Sequence, residues 1–382
     1  MKAEILHAGF DGLKFTIQTD IPPTFREKLA EAKAHAVETN ADCLLEICGV
    51  SLAVRRSGGS AFSAHTGEYG AEWYFLDPEN RPQNTPGITV DFRAFLLATG
   101  GLAAAQAHFE THMAAFGIRY VEPQLRVSRV DFAIDILAPW FEPDREALVA
   151  PAGTRIAEYT GIAETETQSI GARVTGLRAG AVSNRQLAIY DKRAEVIAKR
   201  KMGWLEIWNT TRLQNRQPPL CLKDPDHSRV WRFEMRLGAK QLRNRWQMRS
   251  WADLHAKIGD AFAEFTTRIR YTIPQHDTNR ARWPAHELWQ AVTDTSQQAL
   301  APMRSNAEPT LVKEANRAAY VDMLEGQLLG LATTLAAANG LSETRFPAFL
   351  QALPRTLAAR SQSHPAPLAE RLAKAAGRVV FG

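Results

Sequence analysis

Hydrophobic and polar positions along the chain change period several times, and each change marks an element. Residues 12–20, GLKFTIQTD, alternate and predict a strand. TFREKLAEAKAHAVE (24–38) repeats at helical spacing, with Phe25, Leu29, Ala32 and Ala36 along one stripe. From Leu44 to Phe92 short apolar runs are cut by Gly and Pro, predicting strands in LLEICGVSLAV, AEWYFL and GITVDF around the turn-rich SGGSAFSAHTGEYG. LAAAQAHFETHMAAFG (102–117) predicts a helix stopped by Gly117, and LRVSRVDFAIDIL (125–137) a strand. After an irregular stretch come the strands ARVTGL and RQLAIYD, the helical DKRAEVIAKRKMGWLEIWNTT, the strand RVWRFEMRL, and a helical period from Gln241 to Arg270.

Helices mixed with meandering strands, without regular βαβ alternation, predict an α+β fold built on an antiparallel sheet with flanking helices. Beyond Arg270, Pro274, Pro284, Pro302 and Pro309 punctuate the chain, so residues 276–310 read as a linker. It separates a main domain, 1–275, which allows a division into two subdomains near 118, from an Ala/Leu-rich α-helical C-terminal region, 311–382.

Side chains two apart share a strand face. In VSRVDFAIDIL, Val130, Phe132, Ile134 and Ile136 form an apolar face, opposite Arg129, Asp131, Ala133 and Asp135. In RVWRFEMRL, Trp231, Phe233, Met235 and Leu237 oppose Arg232, Glu234 and Arg236. In RQLAIYDK, Leu187 and Ile189 oppose Gln186, Ala188 and Tyr190. Wet faces of half-exposed strands carry charges as a matter of course. Asp, however, is disfavoured inside strands, and Asp131 and Asp135 both lie in one. If the acids of these strands converge, two like charges about 4 Å apart cost on the order of 4 kcal/mol at an effective dielectric of 20. Arginines or a divalent cation would relieve that repulsion, and oxygen-only ligands suit Mg²⁺ or Mn²⁺.

The chain has 382 residues, 45% hydrophobic and 23% charged, the make-up of an ordinary water-soluble protein. Its first twenty residues carry acids and alternate like a strand, unlike a secretory signal, and no apolar run reaches the roughly 18 residues of a membrane span, so a cytoplasmic protein without membrane contact is expected. Three cysteines without paired spacing indicate neither a disulfide framework nor a zinc site. Net charge is only +5, but Gly171–Ser250 holds 18 Lys or Arg against 6 Asp or Glu, and the remainder is net acidic. Interleaved with Trp204, Trp208, Trp231, Trp246 and Trp251, that concentration points to a polyanionic partner such as nucleic acid.

Charge and strand faces together single out Tyr190, where the strand RQLAIY stops. Its phenol is a poor nucleophile near its usual pKa of about 10. A nearby Lys192, Arg185 or metal would favour the ionised form, and a metal on a phosphate oxygen would polarise phosphorus. These are the parts needed to transesterify a DNA phosphodiester, leaving a phosphotyrosine on one end and a free hydroxyl on the other. Absent a Gly-rich nucleotide loop, small-molecule chemistry is disfavoured. His108 and His112 in HFETH lack the Glu of a zinc-protease motif, Phe109 standing in its place, and read as surface or half-buried residues.

At SRVDFAID, TGLRAGAVSNRQLAIYDKRAE and WRFEMRL the sequence resembles the replication initiation factor family, which includes rolling-circle plasmid initiators, filamentous-phage replication proteins and related conjugative relaxases. The resemblance covers roughly residues 1–270, with firm motifs from about 125 to 240. It implies a metal-dependent DNA nickase that starts rolling-circle replication, with Tyr190 as nucleophile in preference to Tyr159 or Tyr271, and Lys192 as a second catalytic residue that helps hold the scissile strand. It further implies Asp131, Asp135 and Glu234 as ligands of Mg²⁺ or Mn²⁺, and Asp11 as the candidate for a further upstream acid. Arg129, Arg185, Arg193, Arg232, Arg236, Arg243 and Arg245 would hold origin DNA. A conjugative relaxase of the same chemistry and a non-catalytic DNA-binding regulator are the alternatives. A helicase partner and a homodimer stay open. The two-histidine metal motif of commoner rolling-circle nickases is absent from the chain.

Overall fold

A computed structural model describes residues 3–58, 61–82, 84–159, 174–303 and 309–376, and the side chains of 159, 309–320, 322–323 and 373–376 lie outside that description. The chain divides into two compact units, Met1–Ser305 and Asn306–Gly382.

The first unit is organised by one sheet. Its strands are β1 (Glu4–Ile17), β2 (Cys43–Ile47), β3 (Val50–Val54), β4 (Phe62–His65), β5 (Ala71–Phe75), β6 (Ile88–Phe92), β7 (Leu125–Leu137), β9 (Ile156–Tyr159), β10 (Gly176–Gly180), β11 (Arg185–Asp191) and β12 (Val230–Gly238); β8 (Leu148–Val149) pairs separately with β13 (Arg270–Tyr271). The order across the large sheet is β2-β3-β4-β5-β6-β1-β7-β12-β11-β10-β9, every pair antiparallel. This is the α+β architecture expected, and the sheet passes position 118 without a break, since β1 bonds both β6 and β7.

On one face lie α1 (Pro23–Thr39), α2 (Ala94–Ala115), α6 (Trp251–Arg268) and α7 (Glu287–Ala299), which close the main core with Leu13, Phe15, Trp73, Phe132, Phe233 and their neighbours. The stripe of α1 is buried as its spacing predicted: Phe25, Leu29, Ala32 and Ala36. On the other face α3 (Lys192–Ala198) and α4 (Gly203–Gln214) enclose a smaller cluster of Leu6, Val196, Trp204, Trp208, Leu220 and Val230. The single helix expected across 191–211 is thus two, broken where Arg200 takes a left-handed φ of 52°. The short α5 (Pro225–Ser228) leads into β12. Residues 287–299 are no linker, because α7 buries Leu288, Trp289 and Val292 in the main core; residues 304–308 of that stretch lie outside the described residues.

The second unit comprises α8 (Pro309–Ala338), α9 (Phe346–Gln362) and α10 (Leu368–Ala376), with Ala332 and Ala336 of α8 buried. Among the described residues no helix is long and apolar enough to cross a membrane.

Candidate active site

β7, β12 and β11 are neighbours, so their polar faces align in cross-strand rows. Asp135 pairs with Arg232 and Arg232 with Tyr190; Ala133 with Glu234 and Glu234 with Ala188; Asp131 with Arg236 and Arg236 with Gln186. β10 continues the rows, Gly176 opposite Tyr190 and Arg178 opposite Ala188. The face is not wet. Asp131, Asp135, Arg232 and Glu234 are all buried beneath α3 and α4 or by one another, so their charges must be satisfied internally.

Arg232, with no exposed surface, does most of this. Its Nε and Nη2 donate to Asp135 Oδ1 and Oδ2 at 2.6 and 2.8 Å, its Nη1 donates to Asp11 Oδ1 at 2.6 Å, and its guanidinium lies 4.0 Å from the Trp204 ring centre. Trp208 Nε1 adds a bond to Asp135 Oδ2 at 2.8 Å. Asp11 reaches this position because β1 is bulged between Phe10 and Gly12, and bulges re-aim side chains. Burial works against charge on Asp135, but Arg232 outweighs it and holds the carboxyl below the usual range.

Beside this closed network opens a cleft of about 180 Å³ lined by Tyr190, Glu234, Arg129, Arg236, Lys192 and Trp204, with Asp11, Arg178, Glu195, Lys199 and Lys201 also on its wall. It is below the roughly 300 Å³ of typical small-molecule pockets, and its lining is dominated by charge. The Tyr190 hydroxyl donates to Glu234 Oε2 at 3.1 Å, and Arg236 Nε donates to Glu234 Oε1 at 2.6 Å. Burial, then the Glu234 carboxylate, push the phenol well above its ordinary pKa. The expectation that neighbouring cations lower it is therefore reversed: Tyr190 is held neutral, with a carboxylate as its proton acceptor. Asp131 bonds Arg129, whose Nε lies 3.0 Å from Oδ1 and whose Nη2 pairs with Oδ2. Burial, and then repulsion from Glu234, raise the Asp131 carboxyl to about 7.

Several sequence-predicted roles do not survive their surroundings. Arg232 is sealed off and cannot reach DNA. Lys192 is buried on the cleft wall and paired with Glu195 at 2.5 Å, its Nζ 5.7 Å from the Tyr190 ring centre, so its charge is balanced by that carboxylate. Arg185 shares the odd parity of Leu187 and Ile189, which puts it on the opposite face against α6, bonded to Glu264 and over Phe265. Arg245 also pairs with Glu264, at 2.7 Å. Arg193 ties Ser228 Oγ and the Leu222 carbonyl, bracing the loop before β12. Arg243 is exposed in a π-helical turn, Lys240–Arg245. Only Arg129 and Arg236 of the arginines named from sequence line the cleft. Of the tryptophans interleaved with the basic segment, Trp204, Trp208, Trp231 and Trp251 are buried, Trp204 at the cleft wall, and Trp246 is half-buried. Tyr271 is buried with its hydroxyl accepting from the Asp144 amide, burial raising it to about 12. Tyr159 pairs with Gly176 in the backbone register, and its side chain lies outside the described residues.

A metal can be tested against the donor set. Asp135 does not fit, since Arg232 and Trp208 take both of its oxygens. Glu234, which lines the cleft, and Asp131 are the remaining hard oxygen donors, and Mg²⁺ commonly takes one or two carboxylates with phosphate oxygens and water completing its shell, but their oxygens are held too, those of Asp131 by Arg129 and those of Glu234 by Arg236 and Tyr190. Arg129 now stands between them, its Nη2 on Asp131 and 4.0 Å from Glu234 Oε1, and a dication would have to displace it. Among the described residues no three His, Cys, Asp or Glu side chains converge.

Sequence reasoning passed over Arg178, Lys199, Lys201 and Glu195. Glu195 gathers Lys192, Lys199 and Lys201 at 2.5, 3.5 and 3.4 Å. Burial raises its carboxyl, but Lys192 outweighs this and holds it at about 2. The i,i+4 spacing to Lys199 was legible, while the return of Lys201 after the helix break was not.

No family model matches the chain, and no curated protein does. A solved structure, a rolling-circle replication initiator protein from Geobacillus stearothermophilus, aligns over 76% of this chain and 97% of its own at 16% identity and a TM-score of 0.39. At that level of likeness a functional reading rests on the motifs and on the geometry of the cleft.

Proposed function

We propose that this chain nicks and rejoins a DNA strand through a covalent bond to Tyr190, as the initiating step of rolling-circle replication. The observation that carries the reading is the Tyr190–Glu234 hydrogen bond at 3.1 Å, in an open cleft with cationic walls. Tyr190 Oη attacks phosphorus as its proton passes to Glu234. The bond from phosphorus to one sugar oxygen breaks, and that oxygen takes a proton from water in the cleft. Strand rejoining is the reverse, with the sugar hydroxyl attacking and Tyr190 recovering its proton. A phenol held neutral needs such a base, and a general base contributes typically 10²- to 10⁴-fold. Arg129 and Arg236 brace Asp131 and Glu234 and face the incoming phosphate, with Arg178, Lys199 and Lys201 on the same wall. Mg²⁺ or Mn²⁺ held by Asp131 and Glu234 would neutralise charge on the phosphate oxygens. The motif resemblance at residues 128–135, 175–195 and 231–237 supports the replicative setting.

The test is incubation with supercoiled plasmid carrying the DNA that flanks the chain's own coding region, with Mn²⁺, followed by a denaturing gel. Wild type should give open circles with protein attached. Tyr190→Phe should give none, and Glu234→Gln should slow adduct formation by 10²-fold or more while leaving DNA binding measurable. Nicking by Tyr190→Phe at the wild-type rate would overturn the assignment.

A further inference from the structure

The buried tryptophans of the basic segment leave open how unpaired bases next to the scissile phosphate are held. A different aromatic surface answers this. Tyr69, in the turn between β4 and β5, is 61% exposed and stacks on Phe95 with ring centres 5.5 Å apart and planes 28° apart. Phe95 in turn lies 5.5 Å from Trp204, and Trp204 and Ala94, the residue before Phe95, both line the Tyr190 cleft. A continuous row of rings therefore runs from solvent to the cleft wall. The turn that carries Tyr69 is fixed: Gly70 N–H bonds the Gly67 carbonyl, Ala71 N–H bonds Thr66 Oγ1 at 2.8 Å, and Arg93 N–H bonds the Gly70 carbonyl at 2.9 Å. Arg93 and Arg55 share the single carboxylate of Glu72, and the exposed Glu68 of the turn balances the second guanidinium, so the surface offers a ring rather than a charge.

We propose that Tyr69, backed by Phe95, is a stacking platform for an unpaired nucleobase of the strand whose phosphate enters the Tyr190 cleft. The proposal rests on the nicking reading and deepens it by naming the residue that would hold an unpaired base beside the cleft. One face of the Tyr69 ring rests on Phe95, and its exposure leaves surface for a second planar partner. A ring already held in place by a turn and a neighbour loses little freedom when a base arrives, which is the condition under which stacking adds affinity. Continuity through Phe95 and Trp204 sets the platform beside the cleft rather than at an unrelated patch.

The test compares full-length protein binding a 12-nucleotide oligothymidylate and a strand of equal length made of abasic sites, by fluorescence anisotropy at one fixed salt concentration. Tyr69→Ala should weaken oligothymidylate binding by about 5- to 150-fold and leave abasic binding unchanged, and Tyr69→Trp should keep wild-type affinity or better. Tyr69→Ala binding both strands as wild type does would overturn the proposal and assign the ring to another partner. Equal weakening on both strands would also overturn it, since base stacking would not be the cause. Repeating the pair in a Tyr190→Phe background separates the two readings: a base effect that persists without any adduct in the wild type would sink nicking alone.

Discussion

Burial and the charge of Glu234 raise both the Asp131 carboxyl and the Tyr190 phenol, which makes them sensitive to pH in the same direction. Asp131 has an ordinary pKa near 3.8 and a folded value of about 7, so the folded chain binds more protons than the unfolded chain between them. Its contribution is fully present below pH 3.8 and lost as pH rises through 7. His108 acts oppositely in an overlapping window, because burial and then His112 lower it to about 4 and its contribution is lost as pH falls. The Asp131 effect must therefore be read as a difference. In metal-free buffer, the stability gap between Asp131→Asn and wild type, measured by urea unfolding from pH 4 to pH 7.5, should move steadily in favour of Asn as pH rises. A gap independent of pH would show that Asp131 is ionised throughout. For Tyr190 the window begins at pH 10, and ultraviolet titration should show one phenol of wild type, absent in Tyr190→Phe, that stays protonated above it.

At the scale of elements, the site is a product of strand pairing. The bulge in β1 frees Asp11 to reach Arg232, and the next residue, Gly12, lies opposite Asp131. A methyl group on Gly12 would stand 2.5 Å from Asp131 Oδ2, and Arg129 prevents that carboxylate from turning away. Gly12→Ala should cost about 1–3 kcal/mol in denaturant unfolding, as overpacked positions do. Arg232 belongs to three strands at once through Asp11, Asp135 and its own place in β12. Arg232→Leu would leave two acids without their cation, at about 3–5 kcal/mol in the same assay. A loss under 1 kcal/mol would mean that water or Lys192 replaces the guanidinium. Trp208→Phe should fall between, since it removes one bond to Asp135 and keeps most of the packing.

Over the whole molecule, the basic segment divides its charges between internal and external work. Arg185, Arg212 and Arg232 neutralise buried or half-buried acids outside the cleft lining, whereas Lys192, Lys199, Lys201 and Arg236 line the cleft while pairing with Glu195 or Glu234. The net excess seen in sequence thus overstates the charge the cleft presents. Binding of single-stranded DNA should weaken with salt with a log-log slope of about −0.7 for each phosphate neutralised. Lys199→Ala with Lys201→Ala should flatten that slope by roughly one to two phosphates' worth, and an unchanged slope would place the DNA elsewhere. Both apolar clusters of the first unit draw only on residues up to 303. A chain ending at Ser305 should therefore unfold in one cooperative transition with both clusters intact, and a broad non-cooperative melt by circular dichroism would show otherwise.

What was legible in the sequence was whatever depends on local period. Alternation in 125–137, 185–191 and 229–237 identified three strands and the side of each that carries charge, and the 3.6-residue stripe of 24–38 identified the buried face of a helix. Alternation placed Tyr190 and Glu234 on polar faces, while the role read for Glu234 came from the family resemblance; Asp191, at the end of its strand, caps α3 through the Ala194 amide. Tertiary structure alone decided what each charge does. Whether an arginine meets phosphate or a buried acid depends on which helix covers its strand and on cross-strand register, and neither is written in spacing. The sign of the Tyr190 shift was decided the same way, because burial and the nearness of Glu234 outweigh the neighbouring cations that sequence placed beside it.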